Sequence, residues 1–173
     1  DCYIHDITSN IAGDCDGIIA FGNNIEISCC VIRNIPDDGI WIEGLRANIR
    51  GNKISNVGTD NSVTGDCIQL NGETASSSAG EFHIIGNYLD HSNRLEKQGF
   101  IVSSASLGYG GQVAFNTCIF PLDVSGIGGN ACFYSDQPGC QFIGNTTIGG
   151  TYGILLDTGT SQQVLSNLII GSY

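Results

Sequence analysis

Apolar and polar residues alternate in short segments that recur along the chain. The segments GNKIS, GNYLD, FNTCI, GNTTI and SNLII each carry an asparagine at the same place, and DCYIHDI and SCCVIRNI align with them through a cysteine. The shared position is occupied by Cys2, Cys30, Asn52, Asn87, Asn116, Asn145 and Asn167. Successive members are 28, 22, 35, 29, 29 and 22 residues apart. The average of about 27 residues is typical of one coil in a three-sheet parallel solenoid.

The neighbouring columns show the period of two that half-buried strands require. The column three residues before the shared position is apolar: Ile27, Ile49, Ile84, Val113, Phe142 and Val164. The column four residues before it is polar: Glu26, Asn48, His83, Gln112, Gln141 and Gln163. We therefore predict an all-β fold, a right-handed single-stranded parallel β-helix (solenoid) of about six coils over residues 1–173. The stacked asparagines should hydrogen-bond along its axis.

A second strand in each coil is predicted from DGIIAF, DGIWIE, DCIQLN, QGFIVS, NACFYS and YGILLD. Its first inward column reads Ile18, Ile40, Ile68, Phe100, Cys132 and Ile154, and the second reads Ala20, Ile42, Leu70, Val102, Tyr134 and Leu156. The outward column between them reads Ile19, Trp41, Gln69, Ile101, Phe133 and Leu155. Five of these six outward residues are apolar, which is typical of an interface.

Composition and charge exclude several functions. Six Lys and Arg against seventeen Asp and Glu give a formal net charge of −11, so no basic patch for nucleic acid is expected. No run of about 18 apolar residues is present, so we expect no membrane insertion. A bare anionic polymer is repelled unless metal ions bridge it to the carboxylates, whereas a neutral glycan is not.

The eight cysteines do not form a zinc motif, because no CxxC pair exists. We expect Cys118, Cys132 and Cys140 to be buried as small apolar residues. Cys2 and Cys30 are adjacent in the shared column and are expected either to stack as thiols or to form a disulfide.

An acidic column carries the candidate chemistry. Asp16, Asp38 and Asp66 precede the second strand of three successive coils, and Asp14 and Asp37 lie beside them. Carboxylates stacked about 4.8 Å apart repel each other, so one should hold a proton or the group should hold a cation. Asp16, Asp37, Asp38 and Asp66 are therefore candidate catalytic residues, and Asp14, Asp16, Asp38 and Asp66 are candidate Ca²⁺ ligands. The alternative is that Asp-Gly is simply favourable turn chemistry.

Aromatic and polar residues lie beside the acidic column. Phe21 and Trp41 with Glu43, Gln69 and Asn71 form a candidate sugar platform, since aromatic rings pack on sugar rings and polar groups bind hydroxyls. A subunit interface is the competing interpretation of this surface. His83 is expected to be a solvated strand residue, and His5 and His91 are expected at turns.

The columns together resemble the pectate-lyase-like superfamily of right-handed parallel β-helices, which includes polysaccharide lyases, polygalacturonase-like hydrolases and bacteriophage tailspikes. The segments DCDGIIAF and IPDDGIWI look like two polygalacturonase motifs whose catalytic carboxylates would match Asp16, Asp37 and Asp38. The chain departs from them, with Asp14 in place of an asparagine and Ile19 in place of an aspartate. No R-x-K motif follows, and Asp66 stands between Gly65 and Cys67 where the family has a histidine between glycines.

This resemblance implies a polysaccharide-binding and polysaccharide-cleaving β-helix of the tailspike or depolymerase kind, located at a virion surface or outside the cell. The expected partners are a polysaccharide or cell-surface glycan and two further copies in a homotrimer. The activity would be that of a glycoside hydrolase or a polysaccharide lyase. Alternatives are a secreted polygalacturonase-like or pectate-lyase-like enzyme and a non-catalytic structural or adhesive solenoid. We also expect residues 1–173 to be a fragment without its end caps.

Overall fold

A computed structural model of the chain describes residues 2–7, 15–59, 65–72, 81–92, 100–104, 110–121, 131–157 and 161–171. These residues form β-strands and no helix, and the strands make three parallel sheets. Sheet A contains β1 (Tyr3–His5), β4 (Val31–Arg33), β7 (Lys53–Ser55), β10 (Tyr88–Asp90), β13 (Thr117–Ile119), β16 (Thr146–Ile148) and β19 (Leu168–Ile170). Sheet B contains β2 (Ile18–Phe21), β5 (Ile40–Glu43), β8 (Ile68–Gly72), β11 (Phe100–Ser104), β14 (Ala131–Ser135) and β17 (Tyr152–Leu156). Sheet C contains β3 (Glu26–Ser28), β6 (Asn48–Arg50), β9 (His83–Ile85), β12 (Gln112–Ala114), β15 (Gln141–Ile143) and β18 (Gln163–Leu165).

Each sheet takes every third strand of the chain, and neighbouring strands in a sheet are parallel. One strand from each sheet, in chain order, makes one repeat. This arrangement is consistent with the β-helix predicted from the residue columns. The core lies between the three sheets, where the inward residues Ile32, Ile49 and Ile68 are fully buried.

The turn from sheet C to sheet A is two residues long and explains the asparagine column. Its first residue has a positive φ, between 55° and 66°, at Cys29, Gly51, Gly86, Phe115, Gly144 and Ser166. Its second residue is the shared position of the sequence repeats, and in the middle of the stack its asparagines are buried. The asparagine ladder, Asn52, Asn87, Asn116, Asn145 and Asn167, is hydrogen-bonded throughout. The residues at the shared position donate their backbone N–H groups to the Oδ1 of the asparagine in the next repeat, at 2.8–3.0 Å. The five donors are Cys30, Asn52, Asn87, Asn116 and Asn145.

The side-chain amides of the asparagine ladder complete this network. The Nδ2 of Asn87 donates to the Oδ1 of Asn116 and to the carbonyl of Ile49 in the previous repeat, both at 3.0 Å. Asn52, Asn116 and Asn145 repeat this pattern. The buried polar corner is thus satisfied by the chain itself, and the predicted ladder is confirmed.

The register of β14 differs from the predicted one by one residue. Phe133 pairs with Phe100 and Ile154, and Tyr134 pairs with Ile101 and Leu155. Phe133 is therefore inward and fully buried, whereas Tyr134 is outward and half-buried. The sequence-based assignment of Tyr134 to an inward column and of Phe133 to the outward column was wrong. Cys132 is buried as predicted, but it lies one residue before the first inward column, which Phe133 occupies. The reason is that Ala131–Tyr134 is apolar or aromatic at every position, so alternation cannot specify its register.

All eight cysteines are free thiols in the structure. Cys118, Cys132 and Cys140 are fully buried, which confirms their predicted burial. Cys118 and Cys132 each direct Sγ at the carbonyl oxygen of the other at 3.6 Å. At the first repeat, a hydrogen bond between the side chains of Cys2 and Cys30 raises the pKa of Cys2.

Among the described residues, no helix has the length and apolar character needed to cross a membrane.

Candidate functional site

The acidic column lies at the end of the turn from sheet A to sheet B. Each aspartate of the column lies two residues before a strand of sheet B. Asp16 precedes β2, Asp38 precedes β5 and Asp66 precedes β8. The backbone N–H of Asp38 donates to Oδ1 of Asp16 at 2.8 Å, and the N–H of Asp66 donates to Oδ1 of Asp38 at 2.6 Å. The column is therefore a carboxyl ladder, in which the side chains of Asp16 and Asp38 each bind the backbone of the next repeat.

Glycine is required directly after the first two carboxyls. A Cβ at Gly17 would lie 2.6 Å from the carbonyl oxygen of Gly39, and a Cβ at Gly39 would lie 2.6 Å from the carbonyl oxygen of Cys67. Such contacts are closer than real Cβ atoms make. The Asp-Gly pairs thus let neighbouring repeats approach closely and hold the aspartates in line.

Burial separates the central carboxyl from its neighbours. Asp38 is only 4% exposed and Asp66 is 7% exposed, whereas Asp16 and Asp37 are half-buried. Desolvation raises the pKa of Asp38 to about 9, and the negative charges of Asp66, Asp37 and Asp16 act in the same direction. The N–H of Asp66 opposes them, because it stabilises the ionised form. Asp38 therefore carries a proton at neutral pH.

Three of the predicted site residues come together in one group. Ligand oxygens of Asp16, Asp37 and Asp38 all lie within 4.8 Å of one another. Two oxygens bound to one Ca²⁺ at about 2.3–2.6 Å can be separated by that distance, so the group is compatible with a hard cation. Asp66 is joined to this group through its hydrogen bond to Asp38. Asp14 lies outside the described residues.

The predicted aromatic platform lies on the outward face of sheet B. Phe21 is 69% exposed and meets the half-buried Trp41 edge to face, with 5.2 Å between ring centroids. Phe21 pairs in register with Glu43, and Trp41 pairs with Gln69. Asn71 follows on β8, where its backbone is described but its side chain is not. Aromatic and polar groups are thus adjacent on this face.

A second polar ladder, at the start of the turn from sheet A to sheet B, was missed in the sequence. Nδ2 of Asn56 donates to Oδ1 of Asn34 at 2.8 Å, and Nδ2 of Asn34 donates to Oδ1 of Asp6. All three residues have a positive φ. Their common place, directly after each strand of sheet A, is the sequence signal that could have revealed this ladder.

The histidines follow the sequence predictions in part. His83 is exposed on its strand, as expected. His5 lies at the end of β1, and its Nδ1 is 2.7 Å from Oδ2 of Asp6. His91 lies directly after β10 but is buried, with its ring stacked on Phe120 at 4.9 Å between centroids. The buried position of His91 was not anticipated.

A groove of about 660 Å³ lies along the edge of sheet C and was also missed. Its polar lining includes Arg46, Glu81, Asn48, His83, Gln112 and Gln141. Four of these residues belong to the polar column recognised in the sequence, but the column alone does not reveal that the surface is concave.

Comparisons with known proteins give one structural likeness. No family model matches the sequence, and no curated protein matches it. The fold is similar to the crystal structure of the Dettilon tailspike protein, with a TM-score of 0.46 and 17% sequence identity. The match covers 82% of this chain and 32% of that protein, so this chain corresponds to about a third of the tailspike's length.

Proposed function

We propose that this protein is a polysaccharide-binding β-helix that cleaves its ligand with the carboxyl ladder. The observation that carries the proposal is the group formed by Asp16, Asp37 and Asp38, in which one carboxyl is held protonated by its surroundings. The strands that follow Asp16 and Asp38 carry an aromatic pair, the exposed Phe21 and the half-buried Trp41. A proton donor, two further carboxyls and a sugar-binding surface therefore belong to the same two repeats.

The binding step uses the outward face of sheet B. The apolar face of a sugar ring packs on Phe21 and Trp41, while Glu43, Gln69 and Asn71 bind its hydroxyl groups. Loss of the Trp41 side chain should weaken binding more than loss of any single polar group, because a large aromatic buries the most apolar surface.

The cleavage step uses carboxyls in different protonation states. Glycoside hydrolysis needs a protonated acid for the leaving oxygen and an ionised carboxylate as base or nucleophile. Asp38 supplies the first role, and the half-buried Asp16 and Asp37 supply the second. If Ca²⁺ displaces the proton, the same residues hold the ion, which would neutralise a substrate carboxylate and favour β-elimination.

The overall architecture that we propose is a right-handed single-stranded solenoid of about six coils, of the tailspike or depolymerase kind. Crossovers between parallel strands are right-handed in about 98% of cases. The outward column of sheet B continues beyond the platform of Phe21 and Trp41, and there Tyr134 and Leu155 offer an apolar surface for a homotrimer. Such a protein would act at a virion surface or outside the cell. Light scattering should give three times the monomer mass, and a monomer would contradict the trimer.

The decisive experiment measures cleavage of neutral and acidic polysaccharides with and without Ca²⁺. New reducing ends and the absorbance of unsaturated sugars are recorded together. Reducing ends that form without unsaturated product and disappear in Asp38→Asn establish a hydrolase at the carboxyl ladder. Reducing ends accompanied by unsaturated product that requires Ca²⁺ establish a lyase. Glu26→Gln, on sheet C, is the control and should retain activity. Trp41→Ala should lower the apparent affinity. Absence of both signals on every polymer would overturn the cleavage step.

A non-catalytic adhesive or structural solenoid is the second candidate. The observation that favours it is that Oδ1 of Asp16 and Oδ1 of Asp38 each accept a backbone N–H from the next repeat. The ladder would then serve only to brace the turn. Polysaccharide binding without product in the same assay would support this candidate, as would a large loss of stability in Asp16→Ala. A secreted polygalacturonase-like or pectate-lyase-like enzyme differs in being active as a monomer.

A further inference from the structure

The groove on sheet C results from a change in side-chain length along one column of residues. The column consists of the residues two positions before the strands of sheet C. It reads Arg46, Glu81, Gly110 and Gly139 in four successive repeats. Arg46 Nε donates to Glu81 Oε2 at 2.6 Å, which gives the first two repeats a raised rim. The next two repeats have no side chain there, so the surface drops to the backbone.

Two glycines in the floor of the groove, Gly110 and Gly111, have no room for a side chain. A Cβ at Gly110 would lie 2.1 Å from the carbonyl carbon of Gly139. A Cβ at Gly111 would lie 2.4 Å from the carbonyl oxygen of Phe82. Close packing between repeats therefore keeps this floor free of side chains. The resulting volume of about 660 Å³ lies within the usual range of about 300–1,000 Å³ for ligand pockets.

The wall of the groove is a row of polar side chains, one from each repeat. Asn48, His83, Gln112 and Gln141 pair in register across β6, β9, β12 and β15. Repeats in a parallel sheet are spaced about 4.8 Å apart. Within the part of the chain that the structure describes, none of these four side chains makes a hydrogen bond to another protein group. The three side-chain amides each offer hydrogen-bond donors and an acceptor, so these groups are available to hydrogen-bond a ligand.

We propose that this groove binds a neutral polysaccharide chain, with successive sugar rings lying along the row of amides. Sugar hydroxyls both donate and accept, and the amides of Asn48, Gln112 and Gln141 match them in both roles. The charges of Arg46 and Glu81 at the rim cancel each other in an ion pair. The protein as a whole carries a net charge of −11, which disfavours binding of an anionic polymer. The choice of a polysaccharide as the ligand rests on the proposed function. The groove itself lies on sheet C and is separate from the proposed binding surface on sheet B.

The test is an NMR titration of ¹⁵N-labelled full chain with neutral oligosaccharides prepared from dextran, mannan, xylan and galactan. At least one of them should shift the side-chain amide signals of Gln112 and Gln141. Affinity electrophoresis in the parent polymer should then show binding weakened about three- to tenfold by Gln112→Ala or Gln141→Ala, as expected for one hydrogen-bonding group. Gln163→Ala is the matched control, since Gln163 is in the same column but outside the groove.

A second variant fills the groove without removing a polar group. Gly139 has a φ of 73°, and a Cβ there would meet nothing closer than 3.7 Å. Asparagine tolerates this conformation, so Gly139→Asn should fold and bind more weakly than Gln141→Ala. Unchanged amide signals with every oligosaccharide would overturn the proposal, as would wild-type affinity in Gln112→Ala, Gln141→Ala and Gly139→Asn together. If the Trp41 indole signal shifts while the groove amides do not, binding on sheet B stands and the groove proposal fails.

Discussion

At the scale of single residues, Asp38 shows how position in the stack changes the chemistry of a repeated side chain. Asp16 and Asp38 share the same local sequence, an aspartate followed by glycine. Asp38 lies between Asp16 and Asp66 and next to Asp37, and it is more buried than Asp16. Desolvation and like charges together favour its neutral form. A turn residue is thereby held neutral at pH 7.

This protonation links stability to pH. The pKa of Asp38 is about 9 in the folded chain against 3.8 for an ordinary aspartate. The stabilising contribution of the proton is therefore complete below about pH 4 and is lost as the pH rises towards 9. We expect Asp38→Asn, which mimics the protonated form, to gain stability relative to wild type by up to about 4 kcal/mol between pH 5 and pH 8.

Urea unfolding at several pH values measures this difference. Glu43→Gln is the control, because the Glu43 carboxyl lies outside the carboxyl ladder, and its stability should remain parallel to that of wild type. A constant difference between Asp38→Asn and wild type across this pH range would show that Asp38 is ionised when folded.

At the scale of elements, the asparagine ladder joins each turn between sheets C and A to the next. Asn116 is 1% exposed, and its side chain makes four hydrogen bonds, two to Asn87 and one each to Ile84 and Asn145. Each bond links two different repeats. The ladder thus stabilises the stacking of repeats rather than any single strand.

Removing one rung should be costly in the middle of the ladder and mild at its end. We expect Asn116→Ala to lower the free energy of unfolding by about 2–4 kcal/mol, because it leaves buried polar groups without partners. Asn167 also makes four side-chain hydrogen bonds, but it is only half-buried. Asn167→Ala should cost about 1 kcal/mol, since water can replace the lost groups. Equal losses in chemical denaturation would contradict the role of burial.

The positive φ before each rung can be tested separately. Gly86 has a φ of 66°, and a Cβ there would meet no atom within 4 Å. Gly86→Ala should therefore report backbone strain alone and destabilise the protein by about 1 kcal/mol. Phe115 occupies the same place in the next repeat with a φ of 56°, so Phe115→Gly should relieve the same strain. Thermal unfolding measures both changes, and a neutral Gly86→Ala would show that the turn adapts.

At the scale of the whole molecule, the dominant property is negative charge. Two of the four described Lys and Arg residues, Arg46 and Arg50, form ion pairs with Glu81 and Glu26. Few cations therefore remain to attract a polyanion. The molecule should discriminate between neutral and anionic polysaccharides before any specific contact is made.

Salt dependence tests this discrimination. Affinity for polygalacturonate should rise between about 10 mM and 300 mM NaCl without Ca²⁺, because salt screens the repulsion over a shorter distance. Affinity for a neutral polymer should change by less than about twofold, since it has no charge to screen. Affinity electrophoresis provides both values. A decrease for polygalacturonate as salt rises would indicate a cationic binding surface.

The sequence alone was sufficient for the features that repeat locally. Alternation at period two predicts the strands, and the repeated asparagines predict a buried ladder, because each repeat makes the same contacts as its neighbours. The acidic column could be recognised for the same reason, since Asp16, Asp38 and Asp66 precede equivalent strands. Their catalytic and metal-binding roles, like the single domain over residues 1–173, remain predictions.

Only the tertiary structure decided the features that depend on how different repeats stack. The register of β14 required it, because Ala131–Tyr134 has no alternation to align. The proton on Asp38 required it, because burial and the distances between carboxyls arise from repeats separated by segments of unequal length. The groove on sheet C required it as well, because its depth depends on four consecutive residues of one column, Arg46, Glu81, Gly110 and Gly139. A sequence pattern specifies which side chains point outward, but the shape and electrostatics of a surface are set by neighbours that are distant in the chain.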